Sequence, residues 1–155
     1  MLIEPKNEVE RLVHNNMGLV VVQAIRFKPN QLSDLDDFIQ AGAIGLFRAA
    51  QKYDPNINPK FSCVAWISIK REIIKEQQKN HPHQTLPLPE LVEDEIPENI
   101  EEYIGSNLSE IEVKVLMMRA YNYKLREIGE EFGHTKQWAK DTLDTIVEKI
   151  RRANR

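Results

Sequence analysis

The 155-residue chain has few of the residues on which several kinds of protein chemistry depend. Cys63 is the only cysteine, so an internal disulfide is excluded, and the four scattered histidines add no zinc-binding spacing to it. The six glycines form no phosphate-binding loop, and no nucleophile and base are paired in a recognisable motif. We therefore predict that the protein is not an enzyme and has neither a metal site nor a cofactor.

Long apolar runs are also missing. The longest, MGLVVVQAI, has nine residues, which is far too short to cross a bilayer, and no signal peptide precedes it. With one cysteine, a cytoplasmic location is the expectation. A composition of 41% hydrophobic and 29% charged residues is typical of a globular protein, and the length allows one ordinary domain or two small ones.

The net charge of −3 hides an uneven distribution of charged residues. Residues 1–80 carry 11 basic and 9 acidic side chains, and residues 113–155 carry 10 basic and 6 acidic ones. Between them, residues 81–112 carry 9 acidic side chains and no lysine or arginine. A nucleic-acid partner is therefore compatible with both ends of the chain but not with its middle.

The acidic middle is also where helical patterning stops. Residues 80–107 hold four of the eight prolines and show no sustained helical period. We predict an all-α protein with two small helical domains, residues 1–80 and 108–155, joined by an acidic, proline-containing linker at 81–107. The linker is either a solvated tether or a segment that binds a partner.

Hydrophobic periodicity predicts three helices in the N-terminal domain, over residues 6–27, the stretch DLDDFIQAGAIGLFRAAQKYDP at 34–55, and residues 62–78. Ser33, with Asp36 three residues later, suits an N-cap of the second helix. The aspartates at its start could cap the helix, contact a partner or bind a metal. Only Asp34 and Asp37 could converge on a metal, because neighbouring positions diverge by about 100°.

The C-terminal domain has a more specific pattern. Ser109 and Glu112 form a capping box that begins one helix. Two further helices are separated by Gly133, which can adopt a left-handed conformation, and Thr135 caps the second of them. This order predicts a helix-turn-helix, and a plain three-helix bundle is the alternative. The last helix has a predicted buried stripe of Ala139, Leu143, Ile146 and Ile150.

Four segments together resemble the sigma-70 family of RNA polymerase sigma factors. NNMGLVVVQAIRF is similar to region 2.1, DLDDFIQAGAIGLFRAAQKYDP to region 2.2, and KFSCVAWISIKREI to regions 2.3 and 2.4. LSEIEVKVLMMR with LREIGEEFGHTKQWAK resembles region 4. The resemblance implies a sigma region 2 helical bundle and a region 4 helix-turn-helix, without regions 1 and 3. Such brevity resembles alternative factors and phage-encoded late-transcription factors.

The resemblance implies a partner for the region 2.2 helix. In the family, its polar face docks on the clamp helices of the largest polymerase subunit, and region 4 meets the flap of the second-largest. Asp37, Gln40 and Phe47 stand at the matching polymerase-binding positions. Ala41 and Ala43 replace the usual Glu and Asn, so the polar part of this interface is reduced.

Regions 2.3 and 2.4 of the family open promoter DNA at the −10 element and hold the separated strand by stacking and phosphate neutralisation. Trp66 is displaced by one position from the family pattern, Val64 replaces a stacking Tyr, and Ile67 and Ser68 replace a Trp pair. A Trp66 buried in the core is the alternative. The candidate −10 residues are Lys60, Val64, Trp66, Ile67, Lys70, Arg71 and Lys75.

The resemblance also implies a −35 contact by the last helix. The candidate residues are Thr135, Lys136, Gln137, Lys140 and Asp141. The implied function is a transcription initiation factor that joins core RNA polymerase, selects promoter DNA and helps open it. The alternative is a sigma-mimicking regulator that occupies polymerase without melting DNA. We expect a monomer outside the complex, with no membrane partner, in a bacterial cell or during phage infection of one.

Overall fold

The computed structural model describes residues 7–57, 60–80, 82, 96–105 and 107–153. These residues form seven helices and no strand, which confirms the all-α prediction. Within the same residues, no helix has the length and apolar character needed to cross a membrane. The helices are α1 (Glu8–Arg26), α2 (Leu32–Lys52), α3 (Phe61–Asn80), α4 (Ile100–Gly105), α5 (Glu110–Ala120), α6 (Leu125–Glu131) and α7 (Lys136–Ala153).

Helices α1, α2 and α3 pack into an N-terminal bundle around fully buried apolar side chains such as Val20, Leu46 and Ile69. Gly45 allows the closest approach, because a Cβ atom there would lie 2.5 Å from the carbonyl oxygen of Ser68. The Ser68 hydroxyl donates a 2.8 Å hydrogen bond to the Gly45 carbonyl. This hydrogen bond therefore links α3 to α2 at the point of closest approach.

The start of α2 differs from the prediction. The helix begins at Leu32 with Gln31 as its N-cap, so Ser33 lies inside the first turn and is not the cap. The Asp34 carboxylate accepts a hydrogen bond from the Asn30 backbone N–H at 3.1 Å. The Asp34 side chain, in the first turn of α2, thus satisfies the backbone N–H of Asn30, which precedes the helix.

The short helix α4 lies in the segment predicted as a linker. Its Ile104 is buried, and its Ile100 lies against Gly18 of α1, where a Cβ atom would come within 2.8 Å of the isoleucine Cγ2. Tyr103 lies over the Arg26 guanidinium, 5.1 Å from the ring centroid. The end of the predicted linker is therefore packed against α1, and most of residues 81–95 lie outside the described residues.

Helices α5, α6 and α7 form the C-terminal half. The predicted capping box is confirmed, since Glu112 N–H donates to Ser109 Oγ at 3.3 Å and Ser109 N–H donates to Glu112 Oε2 at 2.8 Å. Lys149 of α7 also donates to both Glu112 oxygens, at 2.7 and 2.9 Å. Glu112 thus joins the beginning of α5 to the far end of α7.

The connection between α6 and α7 follows the predicted chemistry. Gly133 has φ of +71°, and Thr135 Oγ1 accepts a hydrogen bond from the Trp138 backbone N–H at 3.2 Å. A Cβ atom at Gly129 would lie 2.5 Å from the Thr135 carbonyl oxygen, so the two helices cross closely. The predicted stripe of α7 is confirmed as buried: Ala139, Leu143, Ile146 and Ile150.

The two halves contact each other directly. Arg119 of α5 pairs with Asp36 of α2, and the Tyr121 hydroxyl donates to the His14 carbonyl of α1 at 3.0 Å. The structure therefore places the C-terminal half against α1 and α2, a contact that the sequence analysis did not predict.

Candidate functional surfaces

The predicted polymerase-binding residues lie together on the exposed side of α2. Asp37, Gln40 and Phe47 follow a spacing of three and seven residues, which places them on one face of a helix. Ile44 completes this face and was missed by the sequence analysis, although its position one turn from Gln40 was a usable signal. We call these four residues the α2 outer face. Phe47 is 45% exposed and Ile44 is 50% exposed, whereas the opposite side of α2 is buried.

The α2 outer face has an acidic end. Partial burial raises the pKa of Asp37, and the carboxylates of Glu76, Asp34 and Asp36 raise it further. A cationic side chain brought to this position would relieve that repulsion. The α2 outer face is thus an apolar strip with an end that favours a basic partner group.

The metal alternative finds no support in the part of the chain that the structure describes. No group of three or more His, Cys, Asp or Glu side chains there is arranged to hold a metal ion.

Four of the −10 candidates share the outer side of α3. Val64, Ile67, Arg71 and Lys75 recur at three- and four-residue steps, with Arg71 and Lys75 exposed and the other two half-buried. We call these four residues the α3 outer face. Lys60 is exposed just before α3, and Lys70 is half-buried to one side of the face.

The positive charge on α3 is partly neutralised within the protein. Lys75 Nζ lies 3.1 Å from Glu72 Oε1, and Arg48 Nη1 of α2 lies 2.7 Å from the same oxygen. The Glu72 side chain is only 17% exposed, so water screens this cluster less than it would an exposed pair. Of the two exposed cations on this face, Lys75 is thus paired with a carboxylate of the protein itself. Arg71 is in no such ion pair with a described residue, so it is more available to a phosphate.

Trp66 corrects one site prediction. It is 1% exposed and belongs to the core, so the buried alternative is right and a stacking role for Trp66 is wrong in this structure. Arg26 lies over its ring at 5.3 Å. Trp66 lies one position away from the place of the family's aromatic residue. One position corresponds to a rotation of about 100° around the helix axis, which moves the ring from the exposed side of α3 to its buried side.

The predicted −35 residues lie at the exposed beginning of α7. Thr135, Lys136, Gln137, Lys140 and Asp141 are all exposed. The Gln137 amide donates to Asp141 Oδ1 at 2.8 Å, and Lys140 Nζ lies 3.7 Å from Asp144 Oδ2. The first contact orients Gln137 along the helix surface while its amide oxygen stays available to a donor. We call Lys136, Gln137, Lys140 and Asp141 the α7 polar face.

Aromatic side chains support the turn that precedes this face. His134 stacks on Trp138, with ring centroids 4.3 Å apart and an interplanar angle of 13°, and Phe132 lies 5.6 Å from the same ring. Trp138 is half-buried. The exposed His134 was not among the predicted −35 residues. Its position directly before Thr135, at the start of the predicted recognition helix, could have indicated it.

A second apolar surface lies on the C-terminal half. A cleft of about 500 Å³ runs between α5 and α6 and is lined by Met117, Met118, Tyr121, Tyr123 and Phe132, with Lys114 and Glu131 at its polar margin. Methionines and aromatics of this kind can pack against a range of apolar partners. None of the residues that line this cleft belongs to the α2 outer face or to the α7 polar face.

Comparison with known families decides the identity of the N-terminal bundle. Residues 12–81, which contain α2, α3 and most of α1, match the family described as Sigma-70 region 2. This segment is a Sigma-70 region 2 domain, which supports a relation of the chain to the sigma-70 family. The α2 and α3 outer faces therefore both lie within sigma region 2.

Curated sigma factors are similar to this chain over different lengths. A probable RNA polymerase sigma-C factor from Synechocystis is 24% identical over 139 residues, which cover 90% of this chain and 31% of that protein. The RNA polymerase sigma factor SigA4 from Synechococcus elongatus is 36% identical over 86 residues, or 56% of this chain and 27% of that protein. The chain thus spans about three tenths of the length of these two relatives.

A third relative is shorter. A putative RNA polymerase sigma-G factor from Bacillus thuringiensis is 37% identical over 73 residues, which cover 47% of this chain and 58% of that protein. The 73-residue match and the region 2 match each span about half of this chain or less. The alignment with the Synechocystis protein is the longer one, and it extends into the C-terminal half.

Proposed function

We propose that this protein is a transcription initiation factor of the sigma-70 family, which binds core RNA polymerase, directs it to promoters and helps open the −10 region. The observation that carries the proposal is the α2 outer face within the region 2 match. Ile44 and Phe47 are each about half exposed, so much of their apolar area is left unburied by the fold and is available to a partner. Such a strip beside polar Gln40 and Asp37 is suited to docking on another helix.

The proposed polymerase partner of this face is the pair of clamp helices of the largest subunit. Phe47 and Ile44 would be buried as apolar anchors, and Gln40 would form a hydrogen bond at their margin. The raised pKa of Asp37 supports a basic side chain of polymerase as its partner, because an added positive charge stabilises the crowded carboxylate.

The proposed −10 contact uses the α3 outer face. Arg71 and Lys75 would neutralise phosphates of the separated strand, with Lys60 and Lys70 adding positive charge nearby. Val64 and Ile67 can form apolar contacts with bases but cannot stack as aromatic rings do. We therefore infer weaker retention of separated bases than an aromatic surface would provide.

The proposed −35 contact uses the α7 polar face as the recognition element of a helix-turn-helix. Its geometry supports this role, because the beginning of α7 is exposed while its other side is buried against α5 and α6. Gln137 can read adenine and Lys136 or Lys140 can contact guanine or phosphate. Asp141 would accept from cytosine or repel a phosphate, so the preferred −35 sequence should depart from that of factors lacking this acid.

The cleft between α5 and α6 is the place where we propose that the flap of the second-largest subunit docks. Its Met117, Met118 and Phe132 offer an apolar surface on the C-terminal half that does not overlap the α7 polar face. Protein docking and DNA reading can then occur together on one small domain.

A specific observation favours a second candidate function. Helix α3 contains two aromatic residues, Phe61 and Trp66, and both are buried. A sigma-mimicking regulator that occupies polymerase without opening DNA would need the α2 outer face but no exposed aromatic on α3. The two functions thus differ in the use of α3 and agree in the use of α2.

In vitro transcription with a purified bacterial core RNA polymerase separates the two functions. The initiation factor should support promoter-dependent transcripts, and permanganate footprinting should detect unpaired thymines near −10. Core binding without transcript or unpaired bases on any promoter of a random library would favour the regulator. A chain that does not bind core polymerase at all would contradict both functions.

A further inference from the structure

The turn between α6 and α7 places the exposed His134 in a defined position. Its backbone N–H donates to the Gly129 carbonyl oxygen at 2.8 Å, and its own carbonyl oxygen lies where a Cβ atom at Gly129 would come within 2.9 Å. Its ring is stacked on Trp138, with centroids 4.3 Å apart and an interplanar angle of 13°. Both the backbone and the ring of His134 are therefore fixed by neighbouring residues, although the residue is exposed.

The stack leaves the polar edge of the His134 ring accessible. In a nearly parallel stack the N–H bonds of the imidazole lie in the ring plane, so the face of the indole does not accept them. Among the residues that the structure describes, none forms a hydrogen bond or an ion pair with the His134 side chain. A neutral imidazole has one N–H donor and a protonated one has two. A donor of fixed orientation is thus available to an acceptor outside the protein.

The stacked ring lies on one side of the α7 polar face. At about 100° per residue, Trp138 is about 60° to one side of Asp141, whereas Lys140 is about 100° to the other side. The His134 ring covers Trp138 and belongs to the first side, and Lys136 belongs to the second. A recognition helix in the major groove has one phosphate backbone on each side of it. The two lysines can reach one backbone, and His134 is placed towards the other.

Other side chains on the same side of α7 use their donors within the protein. The hydroxyls of Thr142 and Thr145 each donate to a carbonyl oxygen one turn earlier in α7, at 2.8 and 2.9 Å. A hydroxyl has a single hydrogen, so neither keeps a donor for a phosphate. Lys149, further along the helix, donates to Glu112 at 2.7 Å. His134 is therefore well placed to supply a donor on this side.

We propose that His134 donates to a phosphate of the −35 DNA and that Trp138 fixes the orientation of its ring. The inference rests on the proposed −35 contact of the α7 polar face, and it adds a contact to the phosphate backbone opposite Lys140. A histidine side chain becomes positively charged in mildly acidic solution, and the contact is then a charge-assisted hydrogen bond. Because the ring is ordered before DNA binds, little conformational entropy is lost. Binding to DNA then depends on pH as well as on salt.

The test titrates the full chain, alone and with core polymerase, with a selected −35 duplex and with a duplex of mixed sequence. At pH 6, His134→Gln should weaken binding to both duplexes about three- to ten-fold. It should also reduce the slope of log K against log salt by about 0.9, the effect of one phosphate contact. At pH 8 both differences should be smaller, because the wild-type ring carries less charge there.

A permanent charge should restore the contact. His134→Arg should bind both duplexes as tightly as the wild type does at pH 6 and should keep that affinity at pH 8. The reason is that a guanidinium stays charged at both pH values and also stacks on aromatic rings.

His134→Phe separates a DNA contact from a purely structural role. It retains an aromatic ring on Trp138 but has no N–H, so it should fold like the wild type and bind DNA as weakly as His134→Gln. His14→Gln is the matched control, because it removes a histidine ring that lies 5.1 Å from Tyr121, outside α7. The charged side chains near the ring on α6 and α7 are the same in all variants: Glu130, Glu131, Lys136 and Asp141.

Wild-type affinity and pH dependence in His134→Phe would overturn the inference, because the ring would then only support the turn. A loss confined to the selected duplex would overturn it as well, since a phosphate contact does not depend on sequence. If the wild type binds neither duplex, alone or with core polymerase, the proposed −35 contact fails and this inference fails with it. If Gln137→Ala changes the sequence preference while the His134 variants change nothing, the inference alone fails.

Discussion

The α2 outer face and the α7 polar face are both exposed sides of amphipathic helices, but they are chemically different. The first places Ile44 and Phe47 in the solvent, and none of the large apolar side chains of α7 within Lys136–Ala153 is exposed to that extent. The second presents cations, an amide and a carboxylate. The apolar α2 outer face is therefore suited to burial against another protein. The α7 polar face is suited to contact with a hydrated, charged polymer.

The largest expected effect is on polymerase binding through α2. Gln40→Ala combined with Phe47→Ala should weaken binding to core polymerase by roughly 2–4 kcal/mol if these side chains are interface anchors. Helical content should not change, because both side chains are exposed. Fluorescence anisotropy with labelled protein would measure the affinity.

Ile57→Ala is the control for that double variant, since Ile57 is 74% exposed in the turn after α2 and lies away from the α2 outer face. It should retain wild-type affinity, and the double variant should retain its affinity for −35 DNA. Equal losses in the control and the double variant would mean that exposed apolar area, and not the α2 outer face, drives binding.

On the α7 polar face, the expected effect is a change of sequence preference. Gln137→Ala should reduce discrimination at one −35 base pair by about 1–3 kcal/mol, the usual worth of a bidentate base contact. Selection from a randomised −35 library would measure it. Gln51→Ala, at the exposed end of α2, removes the same side chain outside the face and should leave the preference intact. An unchanged preference in Gln137→Ala would assign base reading to other residues.

A smaller effect is expected on stability, through the contact between Glu112 of α5 and Lys149 of α7. Glu112 is only 12% exposed, and although its burial alone raises its pKa, the hydrogen bonds from Lys149 and Ser109 lower the pKa below the ordinary value of 4.5. A carboxylate with a lowered pKa stabilises the fold above its unfolded-state pKa and loses this effect as the pH falls through the folded-state value. Glu112→Gln should therefore lower the free energy of unfolding by about 1–2 kcal/mol at pH 7.

The difference between wild type and Glu112→Gln should be constant near neutrality and shrink below about pH 4.5, as urea unfolding at several pH values would measure. Glu110→Gln is the control, because Glu110 is exposed and its ion pair is with Lys114, which is exposed as well. A difference that persists unchanged at pH 3 would show that the carboxylate charge is not the cause. Polymerase binding through α2 should be the same in both variants.

The smallest expected effect is at Lys140. Lys140→Ala should weaken binding to all −35 sequences alike and reduce the salt dependence of log K by about one unit of slope, as the loss of one phosphate contact does. Titrations at several salt concentrations would measure it. Lys114→Ala removes an equal charge on α5 and should leave the slope unchanged. A sequence-dependent loss at Lys140 would instead assign it a base contact.

Local chemistry made much of the fold predictable. The Ser109–Glu112 box, the left-handed Gly133 and the buried stripe of α7 depend on residues within a few positions of one another, so a single sequence contains what determines them. The positions of Asp37, Gln40 and Phe47 on one exposed face follow from helical spacing for the same reason. Their role in binding polymerase remains a prediction.

Only the tertiary structure decided which face of a helix meets a neighbour and which long-range pairs form. Trp66 is buried and Ser33 is not a cap, because the packing of α1, α2 and α3 and the entry of the chain at Gln31 overrode local preference. The Asp36–Arg119 pair joins residues 83 positions apart. No periodicity reports such a contact, since it depends on how two separately patterned halves dock.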